Sequence, residues 1–340
     1  MRAFARNIFE RSGATLTNAS IVTDHLIDSS LRGMHSHGLL RIPQYLDEAA
    51  DGAFDPTATP EVLRRDGARI NIAGNRAFGQ VGGQLAASEA IDAAIKEGCS
   101  FVTATNLGHT GRIGTYAETI GRAGLVSIVF ASGTGLEGRR VAPFNAREGR
   151  LITNPIAYSL PTDSEPLVAD FATSAAAEGV VRSLRNRGLP APPGMLLDSF
   201  GHPTLDPNVL YGDPIGTIAL LGGETFGYKG FALSLLVEVV STLAAGPEFD
   251  DENSPHNTLA VIALAVDAGF RHRLERYLAF IRSAEPINPA KPVMLPGEPE
   301  QKAAASARNL FIDDVTWDRL ATWSAKLHAT MPSIESDALA

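Results

Sequence analysis

Two histidines, a serine and an arginine lie close together near the start of the chain, in Met34-His35-Ser36-His37-Gly38-Leu39-Leu40-Arg41. An imidazole can hold or release a proton near neutral pH. A guanidinium four residues further on can bind a carboxylate through two parallel hydrogen bonds. These residue types suit proton transfer beside a bound carboxylate, with His37 and Arg41 as first candidates. On these residues alone, an ordinary helix-ending turn with Arg41 in solvent is the preferred interpretation.

His109 and Asp170 are two further candidates. His109 lies in a glycine-rich turn after a predicted strand, and Asp170 ends another predicted strand just before a helix. Open α/β sheets bind their ligands at the carboxyl ends of strands. His109 therefore competes with His37 for the proton, and Asp170 can orient a histidine and stabilise its imidazolium. Alternatively, His109 caps its own turn and Asp170 caps the next helix.

The hydrophobic pattern predicts the elements that carry these residues. Two helices precede residue 33; Thr17 or Asn18 caps the second and Gly33 ends it in the left-handed conformation. Residues 42–60 are predicted to be a surface connector. Further along, strands are predicted at 68–73, 101–104, 125–131, 151–157, 167–170 and 259–266, and helices at 80–98, 113–124, 173–187, 230–245 and 316–328.

Alternation of strands and helices predicts an α/β layer with some parallel pairing. We expect two parts: residues 1–65 with 295–340, mainly helical and carrying the His/Arg turn, and residues 66–294, which form the α/β part that binds cofactor and substrate. The strongly apolar helix at 230–245 is expected to be buried, in part against a second subunit.

Composition narrows the class of protein. The chain has 340 residues, of which 44% are hydrophobic and 20% charged, as in globular proteins. A net charge of -9 without a long basic run argues against nucleic-acid binding. Charges near Met1 argue against a signal peptide, and no apolar run approaches about 18 residues. The single cysteine, Cys99, excludes an internal disulfide. We expect a cytoplasmic enzyme without a membrane partner.

Gly133-Thr134-Gly135-Leu136-Glu137-Gly138 matches the G-x-G-x-x-G dinucleotide fingerprint. A Rossmann site needs a helix that begins at the third glycine and holds the pyrophosphate at its N-terminus. Pro143 interrupts any such helix, and no acidic strand end follows at the expected offset of about 20 residues. The motif is therefore predicted to be an anion-contacting loop outside a Rossmann fold.

Eight segments occur in the order typical of one family, and they extend over most of the chain. They are Arg32-Gly33 with Ser36-His37-Gly38 and Arg41; Gly79-Gln80; Gly108-His109-Thr110-Gly111 with Gly114 and Tyr116; Val141-Ala142-Pro143-Phe144; Thr153-Asn154-Pro155-Ile156-Ala157; Asp170-Phe171-Ala172-Thr173-Ser174; Tyr228-Lys229-Gly230; and Leu295-Pro296-Gly297-Glu298. In these segments the chain resembles the malate/L-lactate dehydrogenase family, which is unrelated to the Rossmann-type lactate and malate dehydrogenases.

The resemblance implies a distinctive, non-Rossmann α/β fold with a mixed sheet, usually assembled as a homodimer. It implies NAD or NADP as cofactor and hydride transfer at C2 of a 2-hydroxy or 2-oxo acid of the malate, lactate, ureidoglycolate or sulfolactate type. Reduction of a cyclic imino acid such as Δ1-piperideine-2-carboxylate is the alternative within the same family.

The resemblance also implies roles for particular residues. The catalytic set is His37, Ser36, Arg41, His109 and Asp170, without a metal. The cofactor-binding set is Ser132, Thr153, Asp170, Phe171, Ala172, Thr173, Ser174, Lys229, Gly230, Gly297 and Glu298. His35 has no catalytic counterpart in the family.

The chain departs from the family pattern on the cofactor side. Ile152 stands where the family commonly has glycine, Asn145-Ala146 replaces a glycine pair, and the loop at 135–140 looks longer than usual. One hypothesis is that Arg139 or Arg140 in this loop contacts the 2′-phosphate of NADP. Another class of function, a metal-dependent lyase or hydrolase, would use His35, His37 and His109 as zinc ligands.

Overall fold

The computed structural model describes residues 1–251 and 256–333. The α-helices are α1 (Arg2–Arg11), α2 (Leu16–Leu31), α3 (Ile42–Ala50), α4 (Gly79–Glu97), α5 (Gly114–Arg122), α6 (Glu178–Asn186), α7 (Gly223–Ser241), α8 (Phe270–Arg282), α9 (Glu298–Ser306) and α10 (Asp314–Lys326). The strands are β1 (Glu61–Asp66), β2 (Arg69–Ala73), β3 (Cys99–Leu107), β4 (Val126–Gly133), β5 (Ile156–Leu160), β6 (Leu167–Phe171), β7 (Leu196–Leu197), β8 (Pro203–Thr204), β9 (Thr217–Ile218) and β10 (Asn257–Leu264).

Seven strands form the main sheet, in the order β1-β2-β3-β10-β4-β5-β6. Strands β2 and β3 pair in parallel, whereas the other neighbouring strands of this sheet are antiparallel. A small sheet, β8-β7-β9, forms between α6 and α7, where no strand is predicted from the sequence. The prediction of a mixed sheet surrounded by helices is confirmed.

Alternate residues of the central strands enter two different cores, as the two-residue period of a strand requires. Val129 of β4 belongs to the core beneath α4 and α5, where the many alanines of α4 allow the helix to approach the sheet closely. Phe130 packs on the other face, against Val237 of α7. The main sheet therefore lies between α4 and α5 on one side and α7 on the other.

A separate core joins α1, α2 and α3 to α10, with Phe9, Leu26, Leu46 and Leu320 fully buried. Phe78 and Val81, at the start of α4, belong to the same core. The helical part is thus packed directly onto the helix that covers the sheet. The boundaries proposed above for the two parts of the chain stay predictions.

Residues 42–60 were predicted to be a connector, and this is wrong for 42–50, which form α3. Pro43 lies in the first turn of α3, where proline is well tolerated because the N–H it lacks would have no helical partner. Ile42, Tyr45 and Leu46 are buried at helical spacing. The helix is too short for its pattern to be obvious from the sequence.

Smaller differences concern where elements begin. Thr15, and not Thr17 or Asn18, caps α2, through a hydrogen bond from the Asn18 backbone N–H. Helix α6 begins at Glu178 instead of residue 173, and β5 begins at Ile156 instead of residue 151. Gly33 does adopt the predicted left-handed conformation, with φ 76°.

The G-x-G-x-x-G segment lies at the end of β4, and residues 134–155 continue as turns and irregular backbone. The helix that a Rossmann phosphate site needs is therefore missing at this position. The prediction that this motif lies outside a Rossmann fold is confirmed.

Arg139 is buried, and its guanidinium donates hydrogen bonds to the Glu238 carboxylate and to three backbone carbonyls. Glu238 in turn accepts hydrogen bonds from Ser132 and Asn154. This buried network joins β4 and the segment before β5 to α7. The hypothesis that Arg139 contacts a cofactor phosphate is therefore wrong, because every nitrogen of its guanidinium donates a hydrogen bond to a group inside the protein.

We expect Arg139→Ala to lower the free energy of unfolding by about 3 kcal/mol or more, since it leaves the Glu238 carboxylate buried without its cation. Arg140→Ala, at the neighbouring and less buried position, serves as the control and should change stability by less than about 0.5 kcal/mol. Urea unfolding followed by circular dichroism measures both. Equal effects of the two substitutions would contradict the network.

Candidate active site

The His/Arg turn forms two consecutive 3₁₀ turns, His35–His37 and Leu39–Arg41, between α2 and α3. The turn folds back onto α2: the Leu39 N–H donates to the Ser30 hydroxyl, and a Cβ added to Gly38 would collide with that side chain. Glycine at position 38 is therefore required by close approach. The fold-back places His37 and Arg41 on the interior side of the helical part.

His37 and His109 lie face to face. Their ring centroids are 5.7 Å apart, and the rings are inclined by 16°. The Nδ1 atom of His37 lies 2.9 Å from the Ser36 hydroxyl, and that of His109 lies 2.7 Å from the Tyr45 hydroxyl. Both residues are partly exposed, and neither Nε2 atom has a hydrogen-bond partner within residues 1–251 and 256–333. The Nε2 atoms are thus free to meet a ligand.

Both imidazoles are held in the neutral form. Burial, reinforced by the positive charge of Arg41, lowers the pKa of His37 to about 3. The same two causes lower the pKa of His109 well below its ordinary value. Two neutral imidazoles near a guanidinium can accept a proton from a bound hydroxyl or donate a hydrogen bond to a bound oxygen.

Arg41 is buried, and its surroundings come from α3 and α6. Its guanidinium donates to the Ser36 carbonyl at 2.7 Å and to the Gln44 amide oxygen at 2.6 Å, and it lies 3.5 Å from the Glu178 carboxylate. Arg182 binds the same carboxylate through two nitrogens and also donates to Gln44. The cluster thus holds two guanidiniums around one carboxylate.

Glu178 stays ionised in this cluster. Burial favours the neutral acid, but the charges of Arg41 and Arg182 outweigh burial, so the pKa of Glu178 is lowered. Gly179 follows it, and a Cβ at that position would collide with the Arg41 guanidinium and the Ser36 carbonyl. Helix α6 therefore packs directly against the His/Arg turn.

Asp170, at the end of β6, accepts a hydrogen bond of 2.7 Å from the Gly114 N–H at the start of α5. Burial raises the pKa of Asp170, and the nearby charge of Arg112 partly offsets this. The Arg112 charge also contributes to the lowered pKa of His37. No hydrogen bond, ion pair or ring contact joins Asp170 to His37 or His109 within the part of the chain described.

A cleft of about 490 Å³ opens beside Asp170. It is lined by Arg32, Arg112, Tyr158, Phe171, Gly297 and Glu300, among others. The Nε atom of Arg112 and one carboxylate oxygen of Glu300 are buried there without a partner among the described residues. Gly297 brings the loop against β6 so closely that a Cβ would collide with the Val168 carbonyl. A cleft of this size with unpaired polar groups fits part of a dinucleotide.

The remaining residues predicted to bind cofactor lie in two environments. Asp170, Phe171 and Gly297 line the cleft, and the Glu298 side chain accepts a hydrogen bond from the Leu295 N–H just beside it. The hydroxyls of Ser132, Thr173 and Ser174 are buried and bonded inside the protein.

Thr153, Ala172 and Gly230 adjoin this second group: the Thr153 carbonyl accepts from the Thr173 N–H, and a Cβ on Gly230 would press on the Thr173 carbonyl. Lys229 is exposed on α7, over the Phe226 ring. The cofactor roles of all these residues stay predictions.

Four residues of the site are not predicted from the sequence: Tyr45, Glu178, Arg182 and Arg112. Tyr45 follows Arg41 by four residues, but its hydroxyl meets His109 only because α3 is a helix. Glu178 and Arg182 stand four residues apart, a helical ion-pair spacing that could have been noticed. The sequence around Glu178 and Arg182 gives no indication that they lie next to Arg41.

The zinc alternative needs His35 next to the other two histidines. His35 instead packs its ring edge against Phe311. Among the residues described, no three histidine, cysteine or carboxylate side chains are placed to hold a metal ion. The geometry therefore disagrees with a three-histidine metal site.

Comparisons of the sequence and of the structure with known proteins point to the same family. Residues 1–321 match the model of the family described as malate/L-lactate dehydrogenase. Hydroxycarboxylate dehydrogenase B of Escherichia coli (strain K12) is 34% identical over 88% of this chain and 84% of its own length. L-lactate dehydrogenase of Cupriavidus necator is 30% identical over 98% of this chain and 97% of its own length.

Among solved structures, Δ1-piperideine-2-carboxylate reductase of Pseudomonas syringae pvar. tomato superposes with a TM-score of 0.81 at 27% identity. The superposition covers 95% of this chain and 97% of the other. The likeness therefore extends over both the helical part and the main sheet.

His25 generates a prediction about acid stability. It is buried, its Nε2 accepts the Arg112 N–H at 2.9 Å, and burial together with the Arg112 charge lowers its pKa to about 3. Below pH 6.5 the unfolded chain takes up a proton that the folded chain refuses, so the free energy of unfolding falls as the pH falls. Between pH 7 and pH 5 this costs about 2 kcal/mol.

In His25→Gln the side-chain oxygen can still accept a hydrogen bond from the Arg112 backbone N–H. Glutamine does not titrate, so the unfolded chain takes up no proton at this position. We expect a flatter dependence of unfolding free energy on pH between 7 and 5, measured by urea unfolding at several pH values. His272→Gln, on the exposed surface of α8, is the control and should keep the wild-type slope. An unchanged slope in His25→Gln would refute the neutral, buried His25.

Proposed function

Because this chain belongs to the malate/L-lactate dehydrogenase family, we propose that it interconverts a small 2-oxo acid and the matching 2-hydroxy acid at the His37–His109 pair. It is an NAD(P)-dependent dehydrogenase that acts on CH–OH groups. The observation that carries the proposed site is the stacked pair of neutral imidazoles beside the buried Arg41 guanidinium. His37 transfers the proton, and Arg41 binds the substrate carboxylate.

The charges around Arg41 support a carboxylate as the bound group. Arg41 and Arg182 carry two positive charges, and Glu178 neutralises one of them. Glu48 accepts a hydrogen bond from the Gln44 amide beside this cluster, and burial raises its pKa. The cluster thus holds the Arg41 and Arg182 guanidiniums side by side, and a guanidinium is the side chain best suited to bind a substrate carboxylate.

The same carboxylate tunes the proton transfer. The Arg41 charge is one of the two main causes that keep the pKa of His37 low. A bound anion offsets that charge, so His37 takes up a proton more readily when the substrate is present. During oxidation His37 accepts the hydroxyl proton, and during reduction it returns the proton to the C2 oxygen.

The cleft beside Asp170 is the proposed place of the cofactor, which supplies or accepts the hydride when bound. Asp170, Phe171 and Gly297, which line this cleft, would hold it there. The buried carboxyl of Asp170 also fixes the start of α5 through Gly114, which keeps this wall of the cleft in place.

Reduction of a cyclic imino acid is the second candidate. The structural likeness to a Δ1-piperideine-2-carboxylate reductase favours it. Such an imine also carries a carboxylate on C2, so Arg41 would serve both substrates in the same way. The two candidates differ in whether oxygen or nitrogen receives the proton.

Turnover of a panel of 2-oxo acids and cyclic imines, with NADH and NADPH in parallel and absorbance at the nicotinamide band as readout, tests the proposal. We expect His37→Gln to lower kcat by about 100-fold or more with its KM little changed. Arg41→Lys should mainly raise KM, because an ammonium cannot make two parallel hydrogen bonds to a carboxylate.

His35→Gln is the matched control, since His35 lies two residues from His37 and packs against Phe311. It should keep wild-type kinetics. If His37→Gln and Arg41→Lys both behaved like this control, the site would be assigned to the wrong residues. If imines alone were reduced, the imino-acid candidate would replace the 2-oxo acid.

We further propose that the protein acts as a cytoplasmic homodimer formed through α7. Tyr228, Leu235 and Val239 form an apolar stripe along this helix, which Leu243 continues in the 3₁₀ turn that follows, and each of the four is 45–49% exposed. The helix was expected to be buried, and in the single chain this face is not. Gly223–Ala245 is also long and apolar enough to cross a membrane by length and composition, so vesicles are included in the test.

Sedimentation velocity of the wild type should show a dimer, and Leu235→Glu with Val239→Glu should show a monomer, because two charges would lie within an apolar interface. Leu63→Glu, at an exposed position on β1, is the control and should stay dimeric. A monomeric wild type, or one that floats with phospholipid vesicles, would overturn the homodimer.

A further inference from the structure

His109 is held by two side chains from neighbouring helices. The Tyr45 hydroxyl, on α3, lies 2.7 Å from His109 Nδ1. The side-chain amide nitrogen of Gln80, in the first turn of α4, lies 2.8 Å from the same hydroxyl oxygen. Tyr45 and Gln80 are both buried, with 2% and 1% of their surfaces exposed. The hydrogen bonds that hold His109 Nδ1 therefore come from side chains that solvent does not reach.

The chemistry of these groups fixes where the protons are. An amide nitrogen only donates, so the Tyr45 oxygen accepts from Gln80 and has its own proton left for His109. A histidine Nδ1 that accepts a hydrogen bond carries no proton when the ring is neutral. The ring proton is therefore on Nε2, the atom that faces no protein partner among the described residues.

Close packing keeps these hydrogen bonds in place. A Cβ on Gly79 would collide with the carbonyls of Gly108 and His109, so the first turn of α4 lies directly on the loop that carries His109. The Tyr45 ring packs edge-on against Phe54 and Phe78. Burial raises the pKa of Tyr45, so the hydroxyl keeps its proton at every physiological pH.

We propose that Tyr45 and Gln80 are positioning residues that hold His109 in the Nε2–H form, so that His109 donates a hydrogen bond to the C2 oxygen of the substrate. The inference deepens the proposed function by dividing the work of the pair: His37 moves the proton and His109 orients and polarises the C2–oxygen bond. A donor aimed at an oxygen that gains negative charge stabilises the transition state more than the ground state.

Nitrogen-15 NMR of the histidine rings tests the tautomer without any substrate. The chain has eight histidines, and the signals of His109 are those lost in His109→Gln. The wild type should show a non-protonated Nδ1 and a protonated Nε2. In Gln80→Glu the new carboxylate accepts a hydrogen bond from the Tyr45 hydroxyl. The Tyr45 oxygen is then left to accept a hydrogen bond from His109, so the ring proton of His109 moves to Nδ1 and the tautomer reverses.

Kinetics test the consequence for catalysis. Tyr45→Phe keeps the ring packing but removes the hydroxyl, and Gln80→Glu reverses the hydrogen bonds. We expect both to lower kcat by roughly 10- to 100-fold, with Gln80→Glu the more damaging and KM for the 2-oxo acid little changed. Gln80→Met, which removes the donor without adding an acceptor, should resemble Tyr45→Phe.

Tyr116→Phe is the matched control. Tyr116 is also a buried tyrosine, and its hydroxyl donates to the Thr110 carbonyl in the same loop without touching His109. It should keep both the tautomer and kcat. A wild-type Nδ1–H tautomer, or a tautomer unchanged in Gln80→Glu, would overturn the inference. If the wild type reduced no member of the substrate panel, the proposed function would fail while the NMR result still decided the tautomer.

Discussion

A buried guanidinium next to two neutral imidazoles is the constraint on which the site depends. Arg41 is only 4% exposed, and an unpaired charge in such a place would cost several kcal/mol. Glu178 supplies the counter-charge, and it can do so only because α6 packs directly on the His/Arg turn at Gly179. The position of a whole helix is therefore tied to the charge of one side chain, and the low pKa of His37 follows from the same arrangement.

Residue types and spacing in the sequence single out three side chains that lie close together in the structure. His37, Arg41 and His109 are predicted from chemistry that is local in the sequence, and the structure places them together. The groups that tune them could not be predicted, because Glu178 and Tyr45 reach the site only through the packing of helices remote in the sequence. Asp170 instead binds the Gly114 N–H and lines the separate cleft, a placement that no sequence pattern expresses.

The helices and strands likewise divide into those that the sequence predicts and those that it does not. Long periodic segments such as α4, and buried strands such as β4, are evident because their pattern repeats over many residues. Helix α3 and the short strands of the small sheet are missed because they offer only a few residues of pattern. Strand order could not be predicted, since β10 lies far along the chain from the strands β3 and β4 that it joins.

That central place of β10 matters while the protein is being made. Strands β3 and β4 pair with β10 and not with each other, so both present open backbone edges until residues 257–264 have left the ribosome. More than a hundred residues of chain are synthesised between β4 and β10. Throughout that interval the edges of β3 and β4 that face β10 have no partner in the nascent chain, although β3 can pair with β2 and β4 with β5. Exposed edges of this kind associate readily with other chains, so the last strand to be made protects both halves of the sheet.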